Sequence, residues 1–261
     1  MEETTVRRTG VAEAEQRKRS GKSGTGKICE NMTFAAREAF KRLRTNVLIS
    51  FSEEEKAFRV IGITSAQPSE GKSTISINLA YSLAELEKKV VLIDGDMRRP
   101  SLHDKLGFRQ SPGLADLLAE ADDVRPMLMR YQSKTDGTYF DVITSGEIVR
   151  NPSELMNSKR AEKLIQLLGT VYDYIIFDLP PVGAVVDAVN ASRLTDGMIV
   201  VIRENNCPRY ILEDCVDQLT YAKANIIGFV VNGSVEGAGK RYKNGSGYYK
   251  YGGSQSYRYG K

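Results

Sequence analysis

A chain of 261 residues with 41% apolar content is long enough for one large α/β domain with a buried core, and its composition is globular rather than disordered or membranous. No uninterrupted apolar stretch approaches the ~18 residues of a spanning helix, and Met1 to Cys29 lacks the apolar core of a secretory signal, so a cytoplasmic protein is expected. Three cysteines (Cys29, Cys207, Cys215) without a CxxC pair, and a single histidine, argue against a zinc site of the usual ligand set and for reduced thiols. The net charge of +4 hides an asymmetry: Gly237 to Lys261 carry six basic residues and no acid, which leaves −2 for the rest and implies no basic groove on the folded domain.

Residues 1–30 are polar and charged and read as a flexible N-terminal segment. Within it Gly21–Lys27 mimics a phosphate-loop pattern, but it ends in Ile28 and follows no strand, so it reads as linker. Phe34, Phe40, Leu43 and Val47 recur at helical spacing and predict a helix over Thr33–Leu48. Strands and helices then alternate through residues 31–232. Strands are predicted at Phe58–Thr64, Lys89–Ile93, Phe140–Thr144, Tyr174–Phe177, Gly197–Ile202 and Ile226–Asn232. Helices are predicted at Lys72–Glu87, Gly113–Ala119, Ser158–Leu168, Val186–Leu194 and Tyr210–Ala222. Such alternation, with unbroken apolar runs such as Val90–Ile93, predicts an α/β P-loop NTPase fold: a largely parallel sheet flanked by helices on both faces. Residues 233–261 contain no Leu, Ile or Met and read as a flexible tyrosine-rich tail.

The run Ala66–Thr74 follows a strand and opens a helix, the context a phosphate loop requires. Gly71 permits the tight turn, Lys72 can reach β/γ oxygens, and the Ser73 hydroxyl can hold Mg²⁺. The nucleotide-binding stretch is thus Ser69, Glu70, Gly71, Lys72, Ser73 and Thr74, with Ala66 in place of the usual first glycine. Two further strands run into carboxylates, one into Asp94-Gly95-Asp96, the other into Asp178. In doubly wound sheets the carboxyl edge holds the ligand. Asp178 fits the role of holding Mg²⁺, alongside Ser73 and Asp96. A nucleotide switch needs only one such carboxylate. A kinase also needs a group to orient or deprotonate the acceptor hydroxyl, and Asp94 could do that for a phenol of ordinary pKa about 10.

The segments Ala66–Thr74, Asp94–Pro100 and Phe177–Pro181 resemble the Walker A, A′ and B motifs of the bacterial tyrosine kinases, in particular the CpsD/CapB-like members of capsule and exopolysaccharide synthesis. Glu38–Asn46 is similar to the family's ring-packing helix, E-x-x-R-x-x-R, with Glu38, Lys41 and Arg44 at its contact positions. Lys41 stands where the family has its first Arg, which weakens bidentate pairing there. Asn151–Leu155 matches a family loop. The resemblance implies Mg·ATP as phosphoryl donor, catalysis by Lys72, Asp94 and Asp96, and autophosphorylation in trans within a ring-shaped homo-oligomer, an octamer. It further implies a transmembrane activator (a polysaccharide co-polymerase) as a separate chain, a cognate tyrosine phosphatase, and peripheral recruitment to the inner face of the plasma membrane.

Six of the 13 tyrosines lie in the last 20 residues: Tyr242, Tyr248, Tyr249, Tyr251, Tyr257 and Tyr259. The expected role is phosphoacceptor, since about 15 flexible residues span roughly 20 Å r.m.s.. Interleaved basic and aromatic residues could instead bind nucleic acid, as the tail of a ParA/MinD-like ATPase switch would. Those ATPases carry a lysine where this chain has Gln67, so the kinase branch is favoured and no nucleic acid is expected. Arg98 and Arg99 could contact phosphate or activator, or pair with the adjacent carboxylates. Asn232 could touch adenine. His103 reads as structural, and Asp187, Asp196 and Arg203 have no assigned role.

Overall fold

The computed structural model describes residues 28–52, 55–121 and 123–233. The expectations for the N-terminal segment before Ile28, and for the tail with all six of its tyrosines, lie outside the described residues. The strands are β1 (Arg59–Ser65), β2 (Val90–Asp94), β3 (Leu128–Gln132), β4 (Tyr139–Ile143), β5 (Tyr174–Asp178), β6 (Gly197–Arg203) and β7 (Ile226–Asn232). The helices are α1 (Phe34–Ser50), α2 (Lys72–Ala84), α3 (Leu102–Leu106), α4 (Leu114–Ala119), α5 (Pro152–Met156), α6 (Lys159–Gly169), α7 (Asp187–Ala191) and α8 (Arg209–Tyr221).

All seven strands join one sheet in the order β3-β4-β2-β5-β1-β6-β7. Every pairing is parallel except β3 with β4. β1, β2 and β5 are buried along their whole length, as parallel strands covered on both faces must be. Successive side chains feed opposite layers. Ile61, Ile63, Leu92 and Ile176 pack with Leu79 and Leu83 of α2 and Val47 of α1. Val60, Val91, Ile93, Ile175 and Phe177 pack on the other face with Leu118, Ile165, Ala188 and Leu219 of α4, α6, α7 and α8. The expected fold class is thus the observed one.

Side-chain caps start two of the longer helices. Thr33 caps α1 by accepting the Ala36 amide at 3.3 Å, and Ser158 caps α6 by accepting the Ala161 amide at 3.2 Å. α2 stops at Ala84 rather than at Glu87, where the chain adopts a left-handed φ of 59°. β3, α3 and α5 are elements the sequence pattern does not reveal. In β3, Arg130 and Gln132 interrupt the apolar run, and the strand exists through its pairing with β4, where the Arg130 Nε donates to Asp141 Oδ1 at 2.8 Å. The Asn151–Leu155 stretch is not a loop but the start of α5, which opens on Pro152. Cys29 and Cys215 are buried, Cys207 is half-buried, and all three are free thiols. Among the described residues, no helix is long and apolar enough to cross a membrane.

Leu92 has 0% exposure in the middle of the sheet, so Leu92→Ala should cost about 2–5 kcal/mol through lost transfer energy and the cavity left behind, measured by chemical denaturation.

Candidate active site

The connection from β1 to α2 is a tight loop with two left-handed residues, Ser69 at φ 65° and Gly71 at φ 98°. Only glycine serves at the second: a Cβ there would lie 2.1 Å from the Asn232 Nδ2. The loop delivers the chain into α2, whose first N–H groups have no acceptor within the helix, so the turn presents amides and the positive end of a helix dipole. Lys72 opens the helix and is 9% exposed. The Ser73 hydroxyl lies 2.8 Å from the Ser101 hydroxyl on the opposite wall.

Strand register brings the carboxylates to the same rim. Asp94 and Asp178 are direct neighbours at the ends of β2 and β5, and Ile63 of β1 is the neighbour of Asp178 on the other side. Asp178 accepts the Ser76 hydroxyl at 3.1 Å. Asp94 spends its carboxylate on backbone: Oδ2 accepts the Ser101 and Leu102 amides at 3.1 and 3.0 Å, and Oδ1 accepts the Asp96 amide at 3.3 Å. Asp96 accepts the Arg99 amide at 2.9 Å.

A cleft of about 710 Å³ opens above this rim. Ser69, Gly71, Lys72, Ser73 and Thr74 form one wall, and Asp96, Arg98, Arg99, Ser101 and Lys105 face them. Asp94 and Asp178 sit beneath the surface at 0% and 1% exposure, so Asp96 is the one of the three carboxylates that reaches the cleft. Glu70 belongs to the loop by sequence, but its side chain is fully buried and off the cleft wall.

Arg98 does not pair with the neighbouring aspartates. Its Nε and Nη2 donate to Asp187 at 2.6 and 3.2 Å, and the Ser153 hydroxyl donates to the same carboxylate, tying the loop after β2 to the starts of α7 and α5. The sequence offered no signal for this partnership, since the residues lie 89 and 34 positions apart. Glu38 and Lys41 pair with each other along α1 at 2.8 Å, while the Arg44 Nη1 donates to the Ser82 carbonyl of α2 at 2.6 Å. His103 lies on α3, with Nε2 3.5 Å from Asp104. Asp196 accepts the Val60 amide at 2.8 Å and so fixes the start of β1.

Charge in the site is poised by burial. Desolvation, followed by the Asp178 charge, pushes the Asp94 carboxyl up to about 8. Burial likewise raises Asp178, against the opposing pull of Lys72, and raises Asp96. Burial works against ionised Asp187 too, but the hydrogen bonds from Arg98 and Ser153 outweigh it and hold that carboxyl below the usual range. A triphosphate fits this arrangement: the curved loop, the helix start and Lys72 are complementary to anionic oxygens. Ser73, Asp96 and Asp178 offer oxygen donors only, the ligand chemistry of Mg²⁺. Among the described residues no three of His, Cys, Asp and Glu gather to hold a metal unaided, so a cation here takes further ligands from phosphate and water.

Residues 58–225 match a family model described as an AAA domain. The chain is 34% identical over 196 residues to tyrosine-protein kinase YwqD of Bacillus subtilis (strain 168), covering 75% of this chain and 80% of that protein. It is 32% identical over 196 residues to tyrosine-protein kinase CpsD of Streptococcus agalactiae serotype III (strain NEM316), covering 75% and 81%. The solved kinase domain of the Escherichia coli tyrosine kinase ETK superposes with a TM-score of 0.71 at 32% identity, over 81% of this chain and 80% of that one. The septum site-determining protein MinD of Pyrococcus horikoshii OT3, complexed with Mg-ADP, matches at a TM-score of 0.52 and 24% identity over 69% and 72%, a likeness of fold alone.

Because the Asp94 carboxyl binds its proton more tightly folded than unfolded, its contribution to stability is complete below about pH 4 and is lost as pH rises through about 8. In metal-free protein, Asp94→Asn should therefore flatten the fall in melting temperature between about pH 5 and about pH 8, read by thermal melts across that range.

Proposed function

The chain belongs to the bacterial tyrosine kinase family and is a protein-tyrosine kinase, and from that premise we propose that it transfers the γ-phosphoryl group of ATP, with Mg²⁺, to tyrosines of its own C-terminal segment in trans. The observation that carries this reading is the convergence of the phosphate loop with Asp94, Asp96 and Asp178 on one sheet edge. Lys72 and the loop amides hold the β- and γ-phosphate oxygens. The phenol oxygen attacks the γ-phosphorus, the bond to the β–γ bridging oxygen breaks, ADP departs, and the phenolic proton passes to the Asp94 carboxylate. In its ionised form Asp94 is a stronger base than an ordinary carboxylate, because burial raises its pKa to about 8, closer to that of a phenol. In this conformation its oxygens are occupied by three backbone amides, and Asp96 is the carboxylate at the surface of the cleft. Ser73, Asp96 and Asp178 would hold Mg²⁺, which neutralises charge on the transferring group when bound.

The acceptors in this proposal are Tyr242, Tyr248, Tyr249, Tyr251, Tyr257 and Tyr259, whose basic neighbours favour approach to a bound triphosphate. The resemblance of α1 to the family's ring-packing helix supports placing Glu38, Lys41 and Arg44 at the contacts of a ring-shaped homo-oligomer, in which transfer runs in trans. Regulation of capsular or exopolysaccharide synthesis, a transmembrane activator as a separate chain, a cognate phosphatase and recruitment to the inner face of the plasma membrane complete the proposal. What supports them is kinship with the relatives named above and the position of the site. The absence of a lysine at Gln67 weighs against a ParA/MinD-like switch.

Purified protein incubated with Mg·ATP and the activator's cytoplasmic segment should gain phosphotyrosine, detected by antibody and located by intact-mass analysis. Lys72→Met should lower the rate by about 10²-fold or more, and removal of residues 237–261 should abolish the signal. ATP hydrolysis without phosphotyrosine under these conditions would sink the reading.

A further inference from the structure

The phosphate loop is held from behind by the last two strands. Glu70, at 0% exposure, is the centre of the contact. One carboxylate oxygen accepts the Gln67 amide at 2.9 Å, inside the loop, and the other accepts the amide of Arg203, the last residue of β6, at 3.4 Å. The carbonyl of Glu70 accepts the side-chain amide of Asn232, the last residue of β7, at 2.9 Å. Arg203 also donates through Nη1 to the Ser69 carbonyl at 3.4 Å, and the Asn232 carbonyl accepts the Glu204 amide at 2.9 Å, which closes the circuit between the two strand ends. The Cys207 thiol stands close by, its pKa raised by burial and then by the Glu70 charge.

Glu70, Arg203 and Asn232 stand behind the cleft wall, yet together they set the curve of the loop. A phosphate loop works only while its amides converge, and an unbraced loop would spend binding energy on becoming ordered. We propose that Glu70 is a positioning residue for bound triphosphate, and that its clasp with Asn232 makes the phosphate loop and the root of the C-terminal segment one hydrogen-bonded unit. Nucleotide binding then orders the end of β7, from which the acceptor-bearing segment departs at Gly233. By linkage, whatever fixes that strand end favours nucleotide binding to the same degree. The proposal rests on the assignment of the cleft to a nucleotide.

The test uses the full chain, a non-hydrolysable ATP analogue and Mg²⁺, with affinity measured by calorimetry and amide hydrogen exchange followed at Val231, Asn232 and Gly233. In the parent protein the analogue slows exchange at these three amides. Glu70→Gln sets an NH₂ donor against a backbone N–H, so affinity falls about tenfold and the exchange protection is lost. Asn232→Ala shifts both readouts in the same direction, and the combined variant is no weaker than Glu70→Gln alone by more than about twofold, as members of one network behave. Should Glu70→Gln fail to fold, Asn232→Ala, which removes one side-chain amide at a sheet end, decides by itself. Wild-type affinity in the variants, or protection that survives in them, overturns the clasp while leaving the nucleotide site standing. A parent chain that does not bind the analogue overturns both.

Discussion

Two carboxylates stand side by side where β2 and β5 end, each almost wholly cut off from water. Burying one such group is tolerated only with hydrogen bonds or opposing charge, and burying two together raises the demand. The surrounding chain meets it from three directions. The amides of Ser101 and Leu102 turn inward to Asp94, the Ser76 hydroxyl reaches Asp178, and the Lys72 ammonium favours the ionised forms of Asp178 and Asp96. The curl after β2, the position of α3 and the entry of α2 all follow from this requirement. So does the fit to a cation: a protein that holds this much acid in one place is complementary to positive charge supplied from outside.

What could be read from the sequence was what is contiguous in it. The phosphate loop is one run of residues between one strand and one helix, and the aspartates are announced by the strands that precede them. The parallel sheet was legible because apolar runs such as Val90–Ile93 leave no polar face. Other features depend on register between distant segments and carried no local mark. The partnership of Arg98 with Asp187 is one. The turning of Glu70 away from the cleft, in spite of its place in the motif, is another. β3 stayed hidden because its ladder with β4, not its composition, makes it a strand. α5 stayed hidden because a helix of five residues has too little periodicity to detect.

The two layers of helices serve the site differently. α2 grows directly out of the phosphate loop, and α1 is locked to it by Arg44, which reaches the Ser82 carbonyl and, at 3.5 Å, Glu85. The guanidinium is half-buried between the helices and ties α1 to the helix that grows from the phosphate loop. The opposite layer carries the groups that frame the far wall: α7 supplies Asp187 and α5 supplies Ser153.

The Arg98–Asp187–Ser153 contact is unevenly exposed to water. Asp187 is 2% exposed, and its charge is tolerable there because both partners attend to it. Replacing Arg98 strands a buried anion, whereas replacing Asp187 leaves a guanidinium that water already reaches. The contact is therefore one-sided: losing the arginine costs stability, while losing the aspartate unties the loop after β2 from the starts of α5 and α7.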